Sequence, residues 1–123
     1  MITGIGVDIV QVKRMERWLK KPGLTERYFH PEELAAVMSR GKGAGVSLAA
    51  RFAAKEAFGK ALGTGLEGLV LKDISVTNDS NGKPEFQMTG TAEAALKKNG
   101  ANRVHLSLTH ETDNAVAMVV LES

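Results

Sequence analysis

Two acids in this chain occupy costly positions. Asp8 interrupts the apolar run MITGIGVDIVQV, and Glu56 lies within the helix-forming stretch RFAAKEAFGKALG from Arg51 to Gly63. A carboxylate in such surroundings needs a paired base or a bound cation. Two carboxylates and water make a suitable Mg²⁺ site, because Mg²⁺ takes few protein ligands and favours phosphate oxygens. Lys60, one helical turn beyond Glu56, could then reach the same phosphate. Arg51 and Lys42 could serve more distant anionic groups. His110, which closes the string SLTH, could bond a phosphate or assist proton transfer. Each residue also has a plain structural use. Glu56 and Lys60 are spaced as a solvated i,i+4 ion pair, Asp8 could cap the next helix, and a lone histidine is more often structural.

The element that must position these groups is the helix over Arg51–Gly63. Ala, Leu, Lys, Glu and Arg dominate it and no proline interrupts. Ser47 is the expected N-cap and Gly63 the expected stop. At roughly 100° per residue, Leu48, Phe52 and Leu62 fall on an inward face. Ala49, Ala53 and Ala57 run beside Glu56 and leave room for a ligand or a second backbone.

Elsewhere, Met1–Val12 reads as a strand in which Gly4 and Gly6 allow close backbone approach. A short basic helix follows over Lys13–Lys21, ended by Pro22 and Gly23. A second helix starts at His30-Pro31 and runs to about Ser39. Arg40–Gly45, RGKGAG, could cradle a phosphate or serve as a loose connection; it is not a Walker pattern. Leu69–Val76 and Pro84–Thr89 read as strands of a hairpin turning at Asn81-Gly82. Thr91–Lys98 is helical, and Arg103–Leu108 and Ala115–Leu121 are two more strands. This order predicts an α+β fold with an antiparallel sheet packed on one long central helix, formed by a single domain over 1–123.

Composition narrows the chemistry. The 123 residues, 43% of them hydrophobic, suffice for a real core. There is no cysteine, so any metal must use oxygen or imidazole ligands. No secretory signal or membrane span is expected, which makes a cytoplasmic location the default. The net charge of +2 is weak. Its distribution is uneven, with Lys13, Arg14, Arg17, Lys20, Lys21 and Arg27 outnumbering Glu16 and Glu26 in one stretch. Such a cluster can attract an acidic partner, or it can be an ordinary solvated helix face.

Three strings, GIGVDIVQVKR at Gly4–Arg14, RFAAKEAFGKALGTG at Arg51–Gly65 and SLTH at Ser107–His110, together with NGKP at Asn81–Pro84, carry a family resemblance. The chain resembles the holo-[acyl-carrier-protein] synthases, small members of the 4′-phosphopantetheinyl transferase superfamily, over nearly its whole length. The resemblance implies transfer of the 4′-phosphopantetheine arm of coenzyme A to a serine of apo acyl carrier protein, with release of adenosine 3′,5′-bisphosphate, in support of fatty acid biosynthesis. It implies Mg²⁺ on Asp8 and Glu56, with Lys60 on the phosphates. It implies that Glu56 takes the serine proton, directly or through a water on the metal. By the same resemblance Arg51, Ser107, Thr109 and His110 would line the nucleotide end of coenzyme A, with Lys42 placed there by its spacing upstream of the helix. The resemblance also implies a homotrimer with sites shared between neighbouring subunits. Carrier proteins are acidic, so Arg14, Arg17, Lys21 and Arg27 become a docking face. No nucleic-acid or membrane partner is expected.

Two other functions fit parts of the sequence. A non-enzymatic module could bind an acidic protein or a nucleotide through the basic helix, but Asp8 and Glu56 then lack a purpose. A Mg²⁺-dependent phosphohydrolase would need a positioned water in place of the serine.

Overall fold

The computed structural model describes every residue, 1–123. Strand β1 (Ile2–Gln11) leads into helices α1 (Val12–Leu19), α2 (Pro31–Met38) and α3 (Ala44–Leu62). Strands β2 (Ile74–Asn78) and β3 (Pro84–Met88), helix α4 (Gly90–Asn99) and strands β4 (Arg103–His110) and β5 (Asn114–Glu122) complete the chain. Single 3-10 turns occupy Thr25–Arg27, Gly41–Gly43 and Leu71–Asp73. The expected antiparallel sheet on a central helix is present, in two pieces. One sheet has the order β1-β5-β4 and the other pairs β2 with β3.

Helix α3 is the hub. Only Val46, Glu56, Lys60 and Leu62 of its 19 residues escape burial. A helix apolar nearly all round must be enclosed on every side, and here α1, α2, both sheets and α4 do so. The alanine stripe serves this packing. Ala49, Ala53 and Ala57 are fully buried. They admit a second backbone, not a ligand: a Cβ on Gly6 would overlap the Ala57 carbonyl, and one on Gly4 the Ala61 carbonyl. Two glycines on β1 facing small residues on α3 thus let strand and helix touch backbone to backbone.

Two local expectations are corrected. Ser47 is not the N-cap. The helix starts at Ala44, continuing directly from the 3-10 turn, and Ser47 is an interior residue whose hydroxyl accepts from Arg51. The first hairpin strand starts at Ile74, because Lys55 Nζ donates to the carbonyls of Leu71 and Ile74 and holds the preceding residues in a turn. The expected helix start at His30-Pro31 is present, and His30 caps α2. Its Nδ1 accepts from the Glu32 amide at 3.1 Å while Glu33 reaches back to the His30 amide at 3.0 Å. Gly63 does stop α3, in the left-handed region at φ 82°, and the β2–β3 hairpin turns at Asn81-Gly82.

The inner face of the three-stranded sheet packs on α3 through Val10, Ala115, Ala117, Val119 and Leu121. Its outer face is apolar and open. Ile5, Val7 and Ile9 are 61%, 56% and 62% exposed, and Met118 is 43% exposed.

The β1–α3 contact has a direct test. Gly6→Ala forces a methyl into the Ala57 carbonyl and is expected to destabilise the protein by about 3 kcal/mol in chemical denaturation. A loss under about 1 kcal/mol would show that strand and helix can separate without penalty.

Candidate functional site

The alternation of β1 places Asp8 on the same face as Gly4, Gly6 and Val10, toward α3. Because those glycines seat the strand directly on the helix, Asp8 lies beside the only charged residues of α3 that are not buried, Glu56 and Lys60. Lys60 Nζ donates to Asp8 Oδ1 at 2.9 Å and to the Val7 carbonyl at 3.2 Å. The i,i+4 pair of Lys60 with Glu56 suggested by spacing is therefore replaced by a bond to a residue distant in sequence. The Lys60 side chain is 53% exposed and that of Asp8 15%, so the lysine reaches in from solvent to a sheltered acid. The hydrogen bond to Asp8, then its charge, raises the Lys60 pKa.

Glu56 is half-buried. Burial raises its pKa, and the neighbouring Asp8 charge raises it further, while Lys60 and Arg14 oppose the shift. Arg14 is held in place by aromatic faces. Its guanidinium lies 5.3 Å from the Trp18 ring centre and 5.2 Å from that of Phe52. The exposed arginine named as a docking residue thus also sits close enough to influence Glu56.

Two coupled carboxylates on facing elements suit a small divalent cation, which would relieve their mutual repulsion. No third acid or histidine joins them, so a cation held there would fill its remaining positions with water or substrate oxygens, as Mg²⁺ prefers.

A second feature lies on another face of α3. Arg40, Gly43, Val46, Ser47, Arg51, Asn78, Pro84 and His110 are among the residues around a cleft of ≈ 440 Å³. Arg51 is 5% exposed. One terminal nitrogen donates to Ser47 Oγ and the other to Asn78 Oδ1 at 3.4 Å, and its Nε has no partner. Burial lowers the Arg51 pKa, with Glu33 opposing and Arg40 adding to the decrease. An under-satisfied guanidinium at a cleft wall is suited to an anionic guest. His110 comes to the same wall from the end of β4.

The remaining sequence candidates are placed as follows. Lys42 is exposed in the 3-10 turn between the cleft residues Arg40 and Gly43, so the glycine-rich connection does border the cleft. Ser107 and Thr109 are exposed and alternate with the inward Leu106 and Leu108. They lie on the outer face of the sheet, away from Arg51. Arg14, Arg17, Lys21 and Arg27 are all exposed. Sequence reading missed Asn78 as the partner of Arg51, and it missed a fully buried ion pair between Lys55 and Glu33.

A family model described as the 4′-phosphopantetheinyl transferase superfamily matches residues 4–119. The chain is 57% identical over 122 residues to a holo-[acyl-carrier-protein] synthase of Treponema denticola, covering 99% of each chain. The crystal structure of a holo-[acyl-carrier-protein] synthase from Neisseria meningitidis superposes with a TM-score of 0.88 at 44% identity, covering 100% of both chains. A holo-(acyl-carrier-protein) synthase from Bacillus anthracis in complex with CoA (3′,5′-ADP) gives a TM-score of 0.83 at 39% identity, covering 100% of this chain and 98% of that one.

The charge arrangement makes a prediction about titration. With divalent cations removed, the Glu56 carboxyl should titrate above the ordinary carboxylate range, and Asp8→Asn should bring it down by removing a repelling charge and freeing Lys60. Its contribution to stability is then fully present below the unfolded-state pKa and lost as pH rises through the elevated folded value. Carboxyl-detected NMR titration reads both effects; an unmoved Glu56 in Asp8→Asn would show that Asp8 does not act on it.

Proposed function

The chain belongs to the 4′-phosphopantetheinyl transferase superfamily, as an enzyme of the holo-[acyl-carrier-protein] synthase type, and from that premise we propose the following reaction and division of labour. The enzyme moves the 4′-phosphopantetheine arm of coenzyme A to a serine of apo acyl carrier protein and releases adenosine 3′,5′-bisphosphate. Its role is in fatty acid biosynthesis in the cytoplasm, and no helix of the chain is long and apolar enough to cross a membrane. The observation that carries the reading is the meeting of Asp8 and Glu56 across the β1–α3 contact, with Lys60 bonded to one and coupled to the other.

Asp8 and Glu56 would hold Mg²⁺, which when bound supplies neutralisation of charge on the pyrophosphate. Lys60, exposed along half its length, turns from the Val7 carbonyl to contact the phosphates. The serine oxygen attacks the phosphorus of the phosphopantetheine arm. A new O–P bond forms and the bridging P–O bond breaks, its electron pair leaving with the bisphosphate. Glu56 accepts the serine proton, directly or through a water. Arg51, His110 and Lys42 take the nucleotide end.

Arg51 and Glu56 are five residues apart, so they point roughly 140° apart around α3. That separation supports a site completed between neighbouring subunits, with the carboxylates of one chain facing the nucleotide cleft of the next. Ser107 and Thr109, on the outer face, would contribute at the same junction. The open apolar face of Ile5, Val7, Ile9 and Met118 supports burial in a homotrimer. The exposed Arg14, Arg17, Lys21 and Arg27 form the docking face for the acidic carrier.

Incubation with coenzyme A, Mg²⁺ and an apo carrier protein should add one phosphopantetheine group, read by intact-protein mass; an unmodified carrier would sink the reading. In the same assay Glu56→Gln should slow turnover on the order of 10³-fold, and Arg14→Glu should raise KM for the carrier more than KM for coenzyme A.

Assembly is tested separately. Val7→Lys places a charge on the open face and should shift the sedimentation mass from trimer to monomer. A variant that still sediments as a trimer would remove this face from the interface.

A further inference from the structure

Lys55 and Glu33 are fully buried, and the reaction above uses neither. Lys55 Nζ donates to Glu33 Oε1 at 2.8 Å, to the Leu71 carbonyl at 2.9 Å and to the Ile74 carbonyl. Those three bonds exhaust the ammonium donors. The charge also sits 5.1 Å from the centre of the Phe29 ring. Glu33 is equally committed: Oε1 also accepts from the His30 amide at 3.0 Å, and Oε2 from the Val76 amide at 3.0 Å. One ion pair therefore ties α2, α3, the 3-10 turn and β2 together at a single point.

That point stands behind the anion cleft. Val76 lies two residues before Asn78, whose Oδ1 accepts from Arg51 and whose Nδ2 donates to the Gly82 carbonyl at 3.0 Å. Asn78, Gly82 and Pro84 form one wall of the cleft, and Arg40 and Gly43, which follow α2, form another. Arg51 is one helical turn from Lys55. Buried ion pairs are poor devices for stability alone, since apolar residues of the same volume often do as well. Their directed bonds do fix geometry.

We infer that Lys55 and Glu33 are positioning residues for the nucleotide end of coenzyme A, setting the hairpin wall and the α2–α3 connection opposite Arg51. The inference rests on the assignment of that cleft to coenzyme A. Neither residue touches substrate, and both act through Asn78, Arg40 and Arg51.

The test uses the full chain and two variants. Glu33→Leu with Lys55→Met removes the pair without leaving a lone buried charge, and Glu33→Gln keeps the shape while losing both the charge opposite Lys55 and the bond to the Val76 amide. Thermal unfolding selects the variants that fold. In those, the Kd for adenosine 3′,5′-bisphosphate by calorimetry and KM for coenzyme A should rise about tenfold for the double variant and about threefold for Glu33→Gln. KM for the carrier protein should stay within about twofold. An unchanged bisphosphate affinity in a folded variant, or equal rises in both KM values, would overturn the inference. Calorimetry needs no turnover. A wild-type chain that binds the bisphosphate but transfers nothing would sink the transferase reading alone, and weakened binding in the variants would still support the positioning role.

Discussion

Strand β1 rests on helix α3 with no side chain between them at Gly4 and Gly6, and the site depends on that contact. The carbonyls of Ala57 and Ala61 occupy the space where two methyl groups would otherwise stand. With any larger residue, β1 would lift from the helix by the thickness of a side chain. Asp8, two residues beyond Gly6 on the same face, would lift with it. The 2.9 Å bond to Lys60 and the coupling to Glu56 exist because the backbone gap is closed. Backbone packing of this kind fixes a polar site more rigidly than long side chains can, since nothing in the contact has rotamers to change.

The charges assembled there are balanced only in part. Asp8 and Glu56 repel each other, Lys60 satisfies the first, and Arg14 reaches the second from its place over Trp18 and Phe52. A site fully neutralised by its own side chains would have little use for a cation or a phosphate. Here the lysine is held by an exposed, exchangeable bond and one carboxyl stays above its usual range. The charges are thus left only partly compensated at a cost in local stability, which the closely packed helix beneath them can bear.

Much of this was legible in the sequence. An acid inside a β-prone run marked Asp8, glycines two apart on one strand face marked the close approach, and Gly63 and Asn81-Gly82 punctuated the chain as their backbone chemistry requires. What failed did so for identifiable reasons. The partner of Lys60 lies 52 residues away, beyond any i,i+4 rule. Ser47 resembled a cap, but α3 begins without a side-chain cap because the 3-10 turn before it feeds straight into the helix. The burial of Lys55 could not be read because a helix enclosed on every side has no single apolar stripe from which to take its phase. The helix start at His30-Pro31 was readable, but not that Glu33 closes its cap and spends its second carboxylate oxygen on a strand that only the tertiary fold brings near.

Enclosure of α3 also lets one rigid element carry two separate groups of charged residues. Arg51 and Lys60 are nine residues apart, about 13 Å along the axis. That span cannot flex while α1, α2, both sheets and α4 hold the helix. The residues that meet solvent on it are few, and the charged ones among them gather at the β1 end of the site. The cleft instead is lined by a buried arginine and draws its walls from the hairpin and the α2–α3 connection. One wall is the turn end of the β2–β3 hairpin and another the α2–α3 connection, so the anchoring of those elements sets the shape of the cleft. In the assembly we propose, the helix sets the spacing within each subunit, the outer sheet face sets it between subunits, and the Lys55–Glu33 tie keeps the cleft walls in register with both.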